Sequence, residues 1–306
     1  MTSVVGTIRL GTRASRLARV QTELVRKALA RFNQTIEFRS VEFLTEGDRD
    51  LHTPLPEIGG KGVFTQELEQ ALRNGTIDLA VHSLKDVPVE PTPDLTLAAI
   101  GMREDPREVW ISPKGWTLAT LPAGAKVGTC STRRAAQLLA LRPDLQLASL
   151  RGNVDTRVAK AQAEEFDAIV IAAAGVHRLG LSSAITEYLP LEVMLPAPGQ
   201  AALAVQCRAD DSAMLDLLRG LDESAVRSAT DAERGFLEGL GGGCAAPIAA
   251  FGRTEGGRIH LEGLVLSLDG QRQIRLMWEG PAADGRRLGL ALAAEARAKG
   301  AEALLA

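Results

Sequence analysis

Twice along the chain a short run of aliphatic residues gives way, across a polar loop, to apolar residues at helical spacing. That alternation confines the fold to strands flanked by helices. Residues 4–10 (VVGTIRL) carry the first pattern, and Leu17, Val20, Leu24, Ala28 and Phe32 carry the second. A helix is expected from Phe64 to Arg73, stopped by Gly75, and IDLAVHS (77–83) reads as a buried strand leading into LKDVP. After the polar stretch GMREDPRE (101–108) the rhythm resumes, with a strand near 126–128, a helix over 131–142, a strand at 146–150, a helix over 154–163 and a strand at 167–172. The turn chemistry of LPAPGQAA (195–202) suits a segment that carries the chain back across a boundary. From about Asp222 the texture changes to a helix, a glycine cluster GLGGGCAAP (239–247), alternating strands near 259–266 and 273–279, and an alanine-rich terminal helix. A chain of 306 residues, 45% hydrophobic, is long enough for two or three cores. The expected division is 1–101 with 200–219 as a first α/β domain, 107–195 as a second, and 222–306 as a small α+β domain.

Several function classes are disfavoured. The opening MTSVVGTIRLGTR lacks the charged-then-apolar layout of a secretory signal, and no apolar run approaches the roughly 18 residues of a membrane span, so a cytoplasmic protein without a membrane partner is expected. A net charge of -3 gives no general footprint for nucleic acid. Three widely spaced cysteines (Cys130, Cys207, Cys244) form neither a disulfide framework nor a CxxC pair, so any cysteine chemistry is that of a single thiol. His52, His82, His177 and His260 lack ligand spacing, and no metal is expected. The G-x-G-x-x-A reading of 241–246 follows no strand, IGGKGVF (58–64) lacks the Walker A pattern, and Ser83, His82 and Asp86 are too close in sequence to converge as a triad.

Arginine collects at strand ends. Arg13 with Ser15 follows the first strand, Arg133 and Arg134 follow Val127, Arg151 follows the strand at 146–150, and Arg178 comes soon after Ile169–Ala172. In α/β sheets ligands bind beyond the carboxyl ends of strands, so these loops together suggest an anion site, although any one of the arginines reads equally as a surface residue or the partner of an acid such as Asp155. Arg133 and Arg134 stand in the first turn of a helix, where the dipole disfavours cations by about 0.3–1 kcal/mol each, and a bound anion would offset that cost. Lys85 and Asp86 lie just beyond a buried strand; a carboxylate held there among cations can stay ionised and exchange protons with a nitrogen, while the bland alternative is a turn aspartate before Val-Pro. Four glycines in residues 239–243 leave Cys244 accessible to a bulky group; its alternative is a small buried hydrophobe, the role expected of Cys130 and Cys207.

Taken together, GTRASRLARVQ (11–21), TPLPEIGGKGVFTQELE (53–69), HSLKDVP (82–88), GTCSTRR (128–134), LRGNVDTR (150–157), AAGVHRLGL (173–181), PAPGQAAL (196–203) and GGGCAAP (241–247) resemble the porphobilinogen deaminase family over nearly the whole chain. The resemblance implies two lobes like those of periplasmic binding proteins around a cleft, with a third domain bearing a dipyrromethane cofactor joined by a thioether to Cys244. It also implies a monomer that joins four porphobilinogen molecules, with loss of ammonia, into hydroxymethylbilane. By position, Asp86 matches the catalytic aspartate. Lys85, Ser83, Thr129, Ser131, Arg133 and Arg134 match cofactor-holding positions, and Arg13, Ser15, Arg151, Arg157, Arg178 and Lys61 match substrate-holding ones. Lys61 and Phe64 fall in a loop that covers the cleft in the family. Ala201 replaces a glycine usual after PGQ, Ala245-Ala246 replaces a commoner polar-then-valine pair, and Arg16 stands where proline is frequent. Two rivals stay open: a non-catalytic binder of a small anion, which leaves Cys244 unexplained, and a cysteine-nucleophile acyltransferase, which lacks a histidine base at suitable spacing.

Overall fold

The computed structural model describes residues 6–49, 62–243 and 246–305; Cys244, Lys61 and Ala245 lie outside them. The first stretch runs β1 (Thr7–Arg13), α1 (Arg16–Phe32), β2 (Glu37–Phe43), α2 (Glu46–Arg49), α3 (Gln66–Arg73), β3 (Leu79–Ser83) and β4 (Leu95–Gly101). Ser15 caps α1 by accepting from the Ala18 N–H at 3.2 Å, and Ala18, Gln21, Thr22, Val25 and Leu29 form its buried stripe at helical spacing. After a first crossing, the chain forms β5 (Glu108–Ile111), β6 (Lys126–Gly128), α4 (Thr132–Leu141), β7 (Gln146–Ala148), α5 (Val154–Gln162), β8 (Ala168–Ala172), α6 (Ala173–Arg178) and β9 (Glu187–Leu189). A second crossing returns it to β10 (Leu203–Arg208) and α7 (Ser212–Leu218). The rest is α8 (Ser224–Gly239), β11 (Ile248–Glu255), β12 (Arg258–Leu266), β13 (Gln273–Pro281), α9 (Gly285–Ala298) and α10 (Glu302–Leu305).

Two five-stranded sheets have matching topologies, β2-β1-β3-β10-β4 and β7-β6-β8-β5-β9. In each, three parallel strands are followed by an antiparallel one delivered across the boundary: β10 lies antiparallel to β3 and β4, and β5 antiparallel to β8 and β9. Each lobe thus borrows a strand next to a crossing segment, which ties the two crossings into both sheets. The third sheet is an antiparallel meander, β11-β12-β13, covered by α8 and α9 around Phe236, Ile259, Leu261 and Leu292. Those two helices approach closely because a Cβ on Gly289 would stand 2.1 Å from the Ala232 carbonyl oxygen, so only glycine fits there. A small core of Ala136, Leu195, Ala249, Leu264 and Leu266 joins this unit to the second lobe.

Boundaries differ from the sequence expectation in places. The first strand was expected at 4–10 and runs Thr7–Arg13, making Arg13 its last residue rather than a loop residue. The strands β2, β4, β5, β9, β10 and β11 were not expected. For β2 the reason is an exposed, charged surface with little apolar alternation, and for β5 it is a buried acid at the start of the strand.

Ala201, in the second crossing, has φ +74°, a left-handed conformation that costs a residue with a Cβ about 1–2 kcal/mol. Its carbonyl is held in place by the Glu104 N–H at 3.2 Å and by Arg178 Nη2 at 2.7 Å. Ala201→Gly is expected to stabilise the chain by about 1 kcal/mol, the relieved strain being partly offset by the freer unfolded glycine. Urea midpoints of the two proteins check it; a lower midpoint for the glycine variant would mean that the buried methyl contributes more than the strain costs.

Candidate active site

The strand-end residues gather into two connected groups. In the first lobe, Arg13, Phe64, Thr65, His82, Ser83 and Asp86 line one concavity. The Arg13 guanidinium lies 4.1 Å from the centre of the Phe64 ring and its Nη1 is 4.0 Å from Asp86 Oδ2, so this cation stacks on an aromatic face while facing the carboxylate. Ser83 exchanges hydrogen bonds with Gln21 of α1, at 2.9 Å as acceptor. His82 is buried behind the wall against Gln206 at 3.1 Å; burial pushes its pKa down to about 4, only partly opposed by that hydrogen bond, so it is a neutral packing residue rather than a base.

The second group centres on Glu108, at 0% exposure. Arg133 Nη2 donates to Glu108 Oε1 at 2.6 Å and Arg134 Nη2 to Oε2 at 2.8 Å. Gln200 donates from Nε2 to Oε1 at 3.0 Å, and its own Oε1 accepts from Lys85 Nζ at 3.3 Å. Burial pushes the Glu108 carboxyl up, but Arg134 and Arg133, with Lys85 nearby, more than reverse this and hold it well below the usual carboxylate range. Lys85 moves the other way: burial first, then Arg134, lowers it from 10.5 to about 8, while Asp86 and Glu108 pull it back up. Between those two values the folded chain binds fewer protons than the unfolded one, so this group's contribution to stability improves as pH rises through that window and is a cost below it. A carboxylate ligand would lessen that cost.

The sequence reading of Arg133 and Arg134 therefore needs correction. The anion that offsets their place in the first turn of α4 is an internal one, Glu108, and not Asp155 or a ligand alone. Arg133 also donates from Nη1 to the Leu195 carbonyl at 2.7 Å, so it joins α4 to the second crossing and cannot be without structural consequence. Arg133→Leu is expected to lower folding stability by about 3 kcal/mol, the low end for a broken buried pair because Arg134 still faces Glu108. Equilibrium denaturation tests this, and a change under about 0.5 kcal/mol, the size of an ordinary surface substitution, would remove the structural role.

Ser131 caps α4 through the Arg134 N–H at 3.4 Å, and Thr129 Oγ1 accepts from the Ser131 N–H at 3.2 Å; both are turn-forming in the described contacts. Arg157 donates from Nε to the Gly152 carbonyl at 2.7 Å, and burial, with Arg134 and Arg151 close enough to add repulsion, lowers its pKa against the pull of Cys130. Cys130, expected to be a buried hydrophobe, is only half-buried and faces Arg157, whereas Cys207 is fully buried. Arg178 stands apart, donating from Nη2 to the Met102 and Ala201 carbonyls at 2.9 and 2.7 Å and so bridging both crossings. Burial brings it down to about 10, with Glu104 opposing. Ser15 is the α1 cap and lies two residues after Arg13. Arg151 is half-buried next to Arg157, and Cys244 and Lys61 fall outside the described residues.

Sequence reasoning missed Glu108, Gln200 and Glu233. Glu233 is wholly buried on α8, accepts from the Gly199 N–H at 2.7 Å and the Gly252 N–H at 2.8 Å, and forms an ion pair with Arg103 Nη2 at 2.8 Å, joining both crossings to the third unit. An available signal was the acid heading the apolar run EVWI, since a carboxylate in a buried strand demands cationic partners and Arg133-Arg134 is the one adjacent arginine pair in the GTCSTRR segment.

The donor set suits an acidic, multidentate guest. Arg134 Nε is buried and makes no hydrogen bond among the described residues, and Arg133 and Arg134 share the one buried carboxylate of Glu108. Comparisons with known proteins agree in kind. Residues 8–216 match the model of the porphobilinogen deaminase, dipyromethane cofactor binding domain, and residues 228–298 match that of the porphobilinogen deaminase C-terminal domain. A porphobilinogen deaminase of Roseiflexus sp. (strain RS-1) is 50% identical over 98% of this chain and 99% of its own length, and that of Geobacter sulfurreducens (strain ATCC 51573 / DSM 12127 / PCA) is 45% identical over 98% and 94%. Among solved structures, the BenM effector binding domain is similar with a TM-score of 0.44 and 13% identity, over 72% of this chain and 91% of that chain. With family models spanning both parts of the chain and relatives matched nearly end to end, this chain belongs to the porphobilinogen deaminase family.

Proposed function

We propose that the chain joins four porphobilinogen molecules head to tail into hydroxymethylbilane, on a dipyrromethane attached through Cys244, as a cytoplasmic monomer in tetrapyrrole biosynthesis. The observation that carries the reading is the buried Arg133-Arg134 pair sharing Glu108, with Arg134 Nε left to donate. Bound dipyrromethane supplies a free pyrrole carbon as the nucleophile. Lys85, Ser83, Thr129, Ser131, Arg133 and Arg134 would hold its acidic side chains, with Arg134 the best placed because a buried donor atom remains available. Arg13, Ser15, Arg151, Arg157, Arg178 and Lys61 would hold the carboxylates of porphobilinogen. Arginine's planar fork engages a carboxylate through two hydrogen bonds and fixes its orientation.

Asp86 is the proposed acid/base group. Its carboxylate can orient the departing amine, balance positive charge that develops as ammonia leaves, and then take the ring proton lost on coupling. Such charge pairing is stronger in a partly desolvated cleft than in water. Arg13 Nη1 faces Asp86 Oδ2 at 4.0 Å. The proposed domain division keeps the sequence boundaries, 1–101 with 200–219, 107–195 and 222–306, so that Asp86 and the Arg133-Arg134 pair approach the cleft from opposite lobes.

Purified protein given porphobilinogen is expected to release one ammonia per molecule consumed, and acid Ehrlich reagent is expected to colour the protein itself. No ammonia release would remove the activity, and ammonia release by an uncoloured protein would remove the covalent primer. Neither a simple anion binder nor a cysteine acyltransferase gives both signals.

A further inference from the structure

The turn that carries Lys85 and Asp86 is gripped from the third unit. Arg234, on α8, donates from Nη1 to the Val87 carbonyl at 2.9 Å and the Leu84 carbonyl at 3.5 Å, and from Nη2 to the Pro88 carbonyl at 2.7 Å. Leu84–Asp86 is a single turn of 3-10 helix, and Ser83 gives it no side-chain cap. A one-turn element has little stability of its own, so its position depends on what surrounds it. Three supports do so. The Leu84 N–H donates to the Ala202 carbonyl at 3.0 Å, Gly199 packs so tightly that an added Cβ would meet Leu84 Cγ at 3.0 Å and the Lys85 nitrogen at 3.3 Å, and Arg234 takes the carbonyls on the remaining side.

The same helix is anchored next to and before this contact. The adjacent Glu233 holds both crossings, and two turns back Arg227 donates to the Leu97 and Ala98 carbonyls at 3.0 and 3.3 Å. Spacing of 227 and 234 by seven residues puts both arginines on the helix face that meets the first lobe. After Gly239 the chain enters the glycine cluster that leads to Cys244. The helix that makes the clamp thus ends at Gly239, five residues before the proposed attachment cysteine.

We propose that Arg234 is a positioning residue for the reaction: by clamping residues 84–88 it holds the Asp86 carboxylate in a set place at the site. The proposal rests on Asp86 being the acid/base group. A planar guanidinium reaching three carbonyls restrains the turn in two directions, which a lysine ammonium at the same site does not. Displacement of a reacting group by about 1 Å can cost on the order of 10²-fold in rate.

The test uses the full chain carrying its cofactor, with Arg234→Lys and Arg234→Gln each made alone and in the Asp86→Asn background. Each single variant is expected to keep the cofactor mass and to lose at least about tenfold in kcat, with KM held within about twofold, the signature of a lost transition-state contact. Deuterium uptake of the peptide covering 84–90 is expected to rise, showing that the turn has loosened. In the Asp86→Asn background the same substitutions are expected to change kcat by less than about twofold, because residues acting through one group are not additive. A wild-type kcat in the Arg234 variants, an equal loss in both backgrounds, or unchanged uptake at 84–90 would each overturn the proposal. If Asp86→Asn itself turns over like wild type, the reading of Asp86 fails and this one with it; if Asp86→Asn is impaired and the Arg234 variants are not, this one fails alone.

Discussion

Cys244→Ser, expressed in a host that makes porphobilinogen, is expected to have the bare mass of its sequence, whereas the wild-type chain is expected to be heavier by two deaminated substrate units. The expectation rests on chemistry more than on packing. A thiolate is a far better nucleophile toward a carbon electrophile than a serine hydroxyl with no adjacent base, and no histidine is spaced in sequence to serve that part of the chain. Gly241, three residues before the cysteine, has φ +65°, a conformation that glycine adopts without a Cβ penalty. The region also leaves α8 at the C-terminal unit, whose family model matches residues 228–298. Without its primer, the variant should neither release ammonia in turnover nor colour with acid Ehrlich reagent. Denaturing mass spectrometry of the two proteins decides the matter, and identical bare masses would remove the attachment. Because the cationic cluster would then lack its acidic guest, the Cys244→Ser chain should also gain less stability from neutral pH than the wild type does. Lys85, lowered to about 8 by burial despite the pull of Asp86 and Glu108, is not raised further by an acidic guest in that variant.

The second large effect is expected at Asp86. Asp86→Asn keeps the shape and hydrogen-bonding reach of the side chain and removes its charge, so turnover should fall by about 10²- to 10⁴-fold, the range for a general acid/base group. Folding should survive. The change deletes no buried apolar surface, and the ion pair with Arg13 is a loose 4.0 Å contact between groups that are both partly exposed to solvent, so its loss should cost little. Asp86→Glu, which keeps the charge but moves it by one methylene, should fall between the two. Ammonia release per enzyme and the thermal midpoint are measured together on all three proteins. Near-normal release by Asp86→Asn would refute the catalytic role, and lost release accompanied by a large drop in midpoint would leave Asp86 as a structural turn residue.

What was legible in the sequence divides along the range of the interactions concerned. The helices α1, α4 and α5 and the strands β3, β6 and β8 were readable because local spacing of apolar residues encodes which face is buried, and because Ser15 and Ser131 mark helix starts by their own hydroxyls. Strands β5 and β10 were not. Their stability comes from partners far away in the chain: β10 pairs with β3 and β4, so Ala204 lies opposite both His82 and Ile100. Nothing in LAVQCR distinguishes a strand returning to a distant sheet from one that continues the local series.

The same division holds within the site. Residue type and position relative to strand ends were enough to nominate Arg13, Asp86, Arg133, Arg134, Arg151 and Arg178, since an anion site needs fixed groups at loop ends, whereas Arg157 came only from the resemblance. Only the tertiary structure distinguished them: Arg133 is bound to Glu108 and the Leu195 carbonyl, Arg134 keeps a buried donor atom, Arg178 ties the two crossings together, and Arg234 reaches across from another unit to hold the turn of Asp86. The physical reason is that a charge's role depends on which other charges and dipoles lie within a few ångströms after burial. Glu108 and Arg133 are 25 residues apart, and Arg234 and Val87 are 147, separations over which no periodicity in a sequence carries information.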